Sequence, residues 1–266
     1  MDEFSIVEDT LFVPMLGRIY ASEEFPHILV DEKALELKEK LPQNIKGQDT
    51  QTQYTFMASA VRSTNMDRYV QAFLKEHEDG IIVELGCGLE TTYFRNKDTQ
   101  HPWYEVDLDA VINYRRELLG EPENVTLIAA DGFSDVWIRQ IRAEHPDSPI
   151  LVTASGLFYY FEKATVVGLF ETLKNYGPIE VVFDTVNGAG MKRMAKYMKQ
   201  VGHEDASMYF YVDDIHELEQ EIGVTCLKEE PYYAHTDKKC MKFITKASMV
   251  ISDKCMMVKM EHLKLA

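Results

Sequence analysis

The stretch Ile81-Ile82-Val83-Glu84-Leu85-Gly86-Cys87-Gly88-Leu89-Glu90-Thr91 constrains this chain more than any other. An apolar run of strand length enters a Gly-x-Gly turn, and the residues after it can begin a helix. Glycine carries no Cβ, so the backbone there can pass close to a ligand. The free N–H groups of the helix start point at whatever lies over it. Strand, glycine turn and helix in that order usually bind a nucleotide-like cofactor. A Gly-x-Gly taken alone is equally consistent with a plain tight turn.

The neighbours of the glycines narrow the choice. A dinucleotide fingerprint needs a third glycine or alanine for close helix–strand packing. Counted from Gly86, that sixth position is Thr91, which disfavours a nicotinamide or flavin. Glu84 stands two residues before the first glycine, where its carboxylate would repel a pyrophosphate but suit an ammonium group. A second apolar run, Trp103-Tyr104-Glu105-Val106, ends in Asp107, nineteen residues after Gly88. An acid so placed takes two ribose hydroxyls. Glu84, Gly86, Gly88 and Asp107 together predict a site for S-adenosylmethionine.

With 266 residues the chain is long enough for one large α/β domain with a cap, or for two small domains. Its formal charge of −16 argues against nucleic acid and anionic membrane surfaces as partners. The four cysteines form no C-x-x-C pair and follow no secretory leader, which predicts a reduced, cytoplasmic protein. The longest uncharged stretch, residues 148–161, is shorter than the roughly 20 residues of a membrane span.

Residues 1–60 read as an added N-terminal cap, in which Asp31 caps a helix that runs to Leu41 and stops at Pro42. Residues 43–56 read as a loop or lid edge. Apolar positions Val61, Met66, Val70, Phe73 and Leu74 predict a helix from Ala58 to about Lys75. Strands and helices then alternate: strand 125–130 into Asp131-Gly132, helix 133–143, strand 150–154 into Ser155-Gly156, helix 163–174, strand 179–184. That alternation implies βαβ units. Residues 186–212 form a substrate-side insertion with a Met/Lys-rich helix and the aromatic run Tyr209-Phe210-Tyr211. Residues 213–222 are a further helix, and runs 240–251 and 255–265 suggest an antiparallel hairpin. The expectation is a single Rossmann-like α/β domain, doubly wound, with a core at 61–185. Its sheet is mostly parallel and seven-stranded, with an antiparallel C-terminal strand.

Taken in order, these pieces resemble the leucine carboxyl methyltransferase-like family of class I methyltransferases, especially its bacterial branch. The matching residues include Val13-Pro14-Met15-Leu16-Gly17-Arg18, Ile28 to Ala34, Arg62 with Asp67, Glu84 to Thr91, Phe94-Arg95 and Trp103 to Leu108. Val111-Ile112, Arg115-Arg116 and Val136-Trp137-Ile138 continue the match. The resemblance implies methyl transfer from S-adenosylmethionine to an oxygen of a small organic, polyketide-like or phenolic acceptor. Arg62 would pair with the methionine carboxylate, Glu84 would face the ammonium end, and Gly86 and Gly88 would form the floor. Asp107 would hold the ribose, and Asp131-Gly132 would border the adenine, with Asp135 as the competing match.

Two positions depart from the family pattern. Glu90-Thr91-Thr92 replaces the usual Asp-Thr-Arg, and Ser155 stands where an acid usually opens the fourth motif, with Tyr160 retained. The loss at Ser155 leaves open a second reading, a cofactor-binding protein without methyl transfer. Candidates for catalysis or acceptor contact are Tyr160 and His203, with Tyr159 and Tyr209 nearby in sequence. Asp184 reads as a helix cap or loop anchor, and Met191, Met194 and Met198 as a buried helix face. No His/Cys/Asp set has metal spacing, so no required metal is expected.

Overall fold

Short apolar strands separated by helix-length segments form a sheet whose consecutive strands are joined by crossovers. The computed structural model describes residues 3–42, 45, 51–97, 100–200 and 208–265. Strands β1 (Ile81–Leu85), β2 (Trp103–Asp107), β3 (Val125–Ala129), β4 (Ile150–Ala154) and β5 (Ile179–Val186) run parallel. β6 (Thr225–Pro231) and β7 (Val258–Lys264) complete a seven-stranded sheet of order β3-β2-β1-β4-β5-β7-β6, with β7 antiparallel to both neighbours. The order reverses at β1, and the crevice beyond the carboxyl ends of β1 and β4 is where such sheets bind ligands.

The helices are α1 (Glu3–Glu24), α2 (Glu32–Leu37), α3 (Gln53–Glu76), α4 (Thr92–Arg95), α5 (Asp109–Leu119), α6 (Val136–Glu144), α7 (Lys163–Leu173), α8 (Gly188–Gln200), α9 (Ile215–Ile222) and α10 (Phe243–Lys254). Alternation along β1 divides the core. Ile81, Val83 and Leu85 pack with Trp137, Ile138 and Phe170 on one face. Ile82 packs with Trp103, Val61, Met66 and Val70 on the other. Phe158 meets Phe170, Phe183 and Phe210 edge to face, with ring centroids 5.5, 5.3 and 6.1 Å away. Each such pair adds about 0.5–1.5 kcal/mol beyond burial. The cluster pins the segment at residues 208–212 beside β5, where the Tyr209 N–H donates to the Tyr159 carbonyl at 2.7 Å.

Several boundaries differ from the sequence reading. The C-terminal hairpin is absent: residues 243–254 are helix α10, and the antiparallel partner of β7 is β6. Thr245, Met249 and Ser252 form the buried face of α10, while Phe243, Ile244, Val250 and Ile251 face outward. The inward stripe is thus partly polar, and the apolar residues suggested strand. The helix after Asp31 ends at Leu37 and gives way to a 3₁₀ turn at Lys38–Lys40. α3 begins at Gln53 behind a Thr52–Thr55 capping box, inside the expected loop. His203 and Met198 carry expectations that lie outside the described residues or side chains.

Candidate active site

The turn after β1 is built from conformations that side chains resist. Gly86 has φ +64° and Gly88 has φ +46°. A Cβ on Gly86 would lie 2.7 Å from Leu157 Cδ1. The Gly88 N–H donates to Asp107 Oδ2 and the Leu108 N–H to Asp107 Oδ1, each at 2.8 Å. The acid at the end of β2 therefore already braces the glycine turn it was predicted to accompany.

Glu84 is buried, and Trp103 Nε1–H donates to its Oε1 at 2.9 Å. Burial first, and then the charge of Glu105, push its carboxyl up to about 8. Glu105 is itself held by Arg115, whose Nε lies 2.5 Å from Glu105 Oε2. Arg115 Nη1 also donates to the carbonyls of Gly88 at 3.0 Å and Glu90 at 2.7 Å. A second set of charges holds the loop from the cap side. Arg18 Nε donates to Asp31 Oδ2 at 3.0 Å, and Arg18 Nη2 donates to the Leu89 carbonyl at 2.6 Å. Arg95 Nη1 reaches both Asp31 at 3.0 Å and Glu90 at 3.2 Å. Its Nε and Nη2 form a fork on Asp67 at 2.8 and 3.0 Å. Burial alone would raise the Glu90 carboxyl, but Arg18 and Arg95 outweigh it and hold it down to about 2.

Arg62 projects from α3 toward the end of β5. Its Nε donates to Asp184 Oδ2 at 2.8 Å, the Tyr159 hydroxyl donates to the same oxygen at 2.8 Å, and the Gly156 N–H donates to Oδ1 at 2.7 Å. Burial opposes the Arg62 charge, yet Asp184 keeps its pKa well above the usual value. Asp184 thus anchors a loop, one of its two expected roles, and holds an arginine and a tyrosine as well.

A cavity of about 1110 Å³ joins these groups. Its lining includes Arg62, Glu84, Gly86, Gly88, Asp107 and Ser155, the expected cofactor residues. It also includes Tyr54, Tyr159, Tyr160, Tyr209, Tyr232 and Tyr233, with Met194 and Arg193 from α8. The volume slightly exceeds that of ordinary ligand sites, roughly 300–1,000 Å³, so cofactor and acceptor have room together. Asp131 and Gly132 are not part of that lining. Asp131 lies exposed after β3 and accepts from the Phe133 N–H at 2.9 Å, while the Gly132 carbonyl accepts from Trp137 Nε1–H at 3.0 Å. The competing Asp135 accepts from the Tyr176 hydroxyl at 2.8 Å.

Sequence reasoning did not single out Tyr54, Tyr232, Tyr233 or Arg193. They come from separated segments with no local pattern, and only the fold brings them to one wall. Asn65 Nδ2–H donates to the Tyr232 carbonyl at 2.9 Å and the Tyr232 hydroxyl to the Ala58 carbonyl at 2.8 Å, which fixes that ring to α3. Among the described residues no group of His, Cys, Asp and Glu is arranged to hold a metal, and no helix is long and apolar enough to cross a membrane.

A glycine cradle that a Cβ would fill, a buried acid under it and a second acid on its rim fit the sulfonium-bearing amino acid and ribose of S-adenosylmethionine. With the seven-stranded sheet and its antiparallel β7, they define an S-adenosylmethionine-dependent methyltransferase. The family model for leucine carboxyl methyltransferase matches residues 9–174, and the chain belongs to that family of O-methyltransferases. It is 26% identical over 219 residues to the tetracenomycin polyketide synthesis O-methyltransferase TcmP of Streptomyces glaucescens, covering 81% of this chain and 79% of that one. A crystal structure of a putative methyltransferase from Thermobifida fusca has the same fold, with a TM-score of 0.56, 14% identity and 94% of each chain covered. So does a DUF574 family protein from Streptomyces avermitilis, with a TM-score of 0.54, 12% identity and coverage of 94% and 96%.

Proposed function

We propose that the protein methylates a carboxylate or hydroxyl oxygen of a small, aromatic, polyketide-like or phenolic molecule. The observation that carries this reading is the single cavity joining the cofactor-side acids and glycines to a wall of six tyrosines. Aromatic walls with few polar groups suit planar apolar ligands, and the similarity to a polyketide O-methyltransferase points the same way. The bound cofactor supplies a methyl group already activated on a sulfonium.

The chain's own residues have to bind, orient and exclude water. Arg62, held by Asp184, presents its remaining N–H groups to a carboxylate. Glu84 faces an ammonium group, Asp107 meets the ribose while bracing Gly88, Ser155 borders the cofactor and Tyr160 the acceptor. Asp131 would border the adenine from the rim. A carboxylate acceptor needs no base, whereas a hydroxyl does. His203 remains the candidate base for a hydroxyl.

Calorimetric titration with S-adenosylmethionine and S-adenosylhomocysteine tests the cofactor site, with Asp107→Ala as control. Labelled-methyl transfer to panels of aromatic acids and phenols tests the acceptor. Micromolar binding lost in Asp107→Ala, followed by transfer to one panel, is expected. Absence of binding to folded protein overturns the site assignment, and absence of transfer to either panel overturns the acceptor class.

A further inference from the structure

The nine arginines of this acidic chain are not equivalent. Arg18, Arg62, Arg68, Arg95, Arg115, Arg116 and Arg139 each pair with a carboxylate, and Arg142 is spent on main-chain carbonyls. Arg193 is different. It lines the cavity from α8, and its Nη1 donates to Met257 Sδ at 3.5 Å. Among the described residues no oxygen accepts from its guanidinium. Arg193 is itself exposed, and among the described residues the cavity lining also includes Met194, Met208, Tyr209, Met257 and Val258, which carry no counter-charge.

The other two cavity arginines are already committed. Arg18 is buried and saturated by Asp31, Glu90 and the Leu89 carbonyl. Arg62 is held by Asp184 at the cofactor side. A guanidinium presents a planar fork of donors that matches a planar oxyanion. In an otherwise apolar wall, one such group fixes ligand orientation.

We propose that Arg193 is a specificity-determining residue: it anchors the acceptor through an anionic oxygen group carried on an apolar, ring-shaped body. This rests on the methyltransferase reading of the cavity. It does not depend on which oxygen receives the methyl group.

The test uses the full chain saturated with S-adenosylhomocysteine, titrated with 2-naphthoate and with its neutral isostere 2-naphthamide. Naphthoate binds more tightly by roughly tenfold, about one factor of ten in the dissociation constant. The preference shrinks as salt is raised, because the pair is partly open to solvent. Arg193→Gln keeps donors but loses charge, so its naphthoate-to-naphthamide ratio falls to about one while its affinity for S-adenosylhomocysteine is unchanged. Arg193→Lys restores most of the preference. Failure of wild-type protein to bind S-adenosylhomocysteine would overturn the cofactor reading itself. With that binding intact, three results overturn the proposal: an unchanged ratio in Arg193→Gln, no preference in wild type, or no binding of either probe.

Discussion

With Glu84 at the ammonium end of the cofactor, as proposed, cofactor binding is tied to pH. In the free protein, burial and then the neighbouring Glu105 charge push its carboxyl up to about 8, so it carries a proton at neutral pH. An ammonium group set against it favours the ionised form, and binding expels the proton. With full ionisation in the complex, affinity for S-adenosylhomocysteine rises roughly 25-fold between pH 6.0 and 7.5, and about 0.9 proton leaves per site at pH 7. Calorimetry in two buffers of different ionisation enthalpy measures both quantities. Glu84→Gln binds more weakly with a flat profile. The reasoning fails if wild-type affinity changes less than about twofold over that window, or if Glu84→Gln keeps the slope. The same group affects stability with a definite sign. Its folded pKa lies above the ordinary 4.5, so between 4.5 and about 8 the native state holds a proton the unfolded chain sheds. The free protein loses stability as pH rises across that range, and Glu84→Gln withstands more urea than wild type at pH 8.5.

Asp31→Ala leaves Arg18 and Arg95 buried without one shared partner, which costs about 3–5 kcal/mol. For a domain of this size the melting temperature drops by roughly 6–15 °C; a loss below about 1 kcal/mol by urea titration contradicts the network's role. Gly86→Ala forces a Cβ to 2.7 Å from Leu157 at φ +64° and abolishes cofactor binding by calorimetry. Gly168→Ala, in an exposed stretch of α7 with nothing within 4 Å, serves as its control. It stabilises by about 1 kcal/mol and leaves binding intact.

The parallel half of the sheet was legible because its strands are apolar, short and separated by helices, and because Gly86, Gly88 and Asp107 keep a spacing set by the ligand. The C-terminal region was not, for two physical reasons. β6 reads Thr-Cys-Leu-Lys-Glu-Glu-Pro, an edge strand whose charges mask its period. α10 turns apolar residues outward, so its helical face lies in Thr245, Met249 and Ser252 and escapes a hydrophobic count. At the site, the acids and glycines were visible as local motifs. The tyrosine wall and Arg193 were not, since their meeting is a property of tertiary structure. Arg18 and Asp31 could be quoted as motif members, but the hold of Arg18 on Leu89 and Glu90 and of Asp31 on Thr91 and Arg95 emerges only when residues 60 to 72 positions apart come together.

That separation has a consequence for how the chain comes together. Arg18 and Asp31 pair with each other within the cap, yet their further partners Glu90 and Arg95 are not in place until the glycine turn has formed. Until then the apolar side chains Phe12, Met15, Ile19 and Leu37 also lack Leu89 and Leu119 to pack against. Native packing of the cap therefore depends on the glycine turn. What is joined in assembly is also joined afterwards. A small molecule in the cavity, which Leu11, Val13, Pro14 and Arg18 of α1 also line, would shield peptide bonds of the cap from proteases, and a chain begun at residue 51 would lose that wall together with the charges that hold the turn.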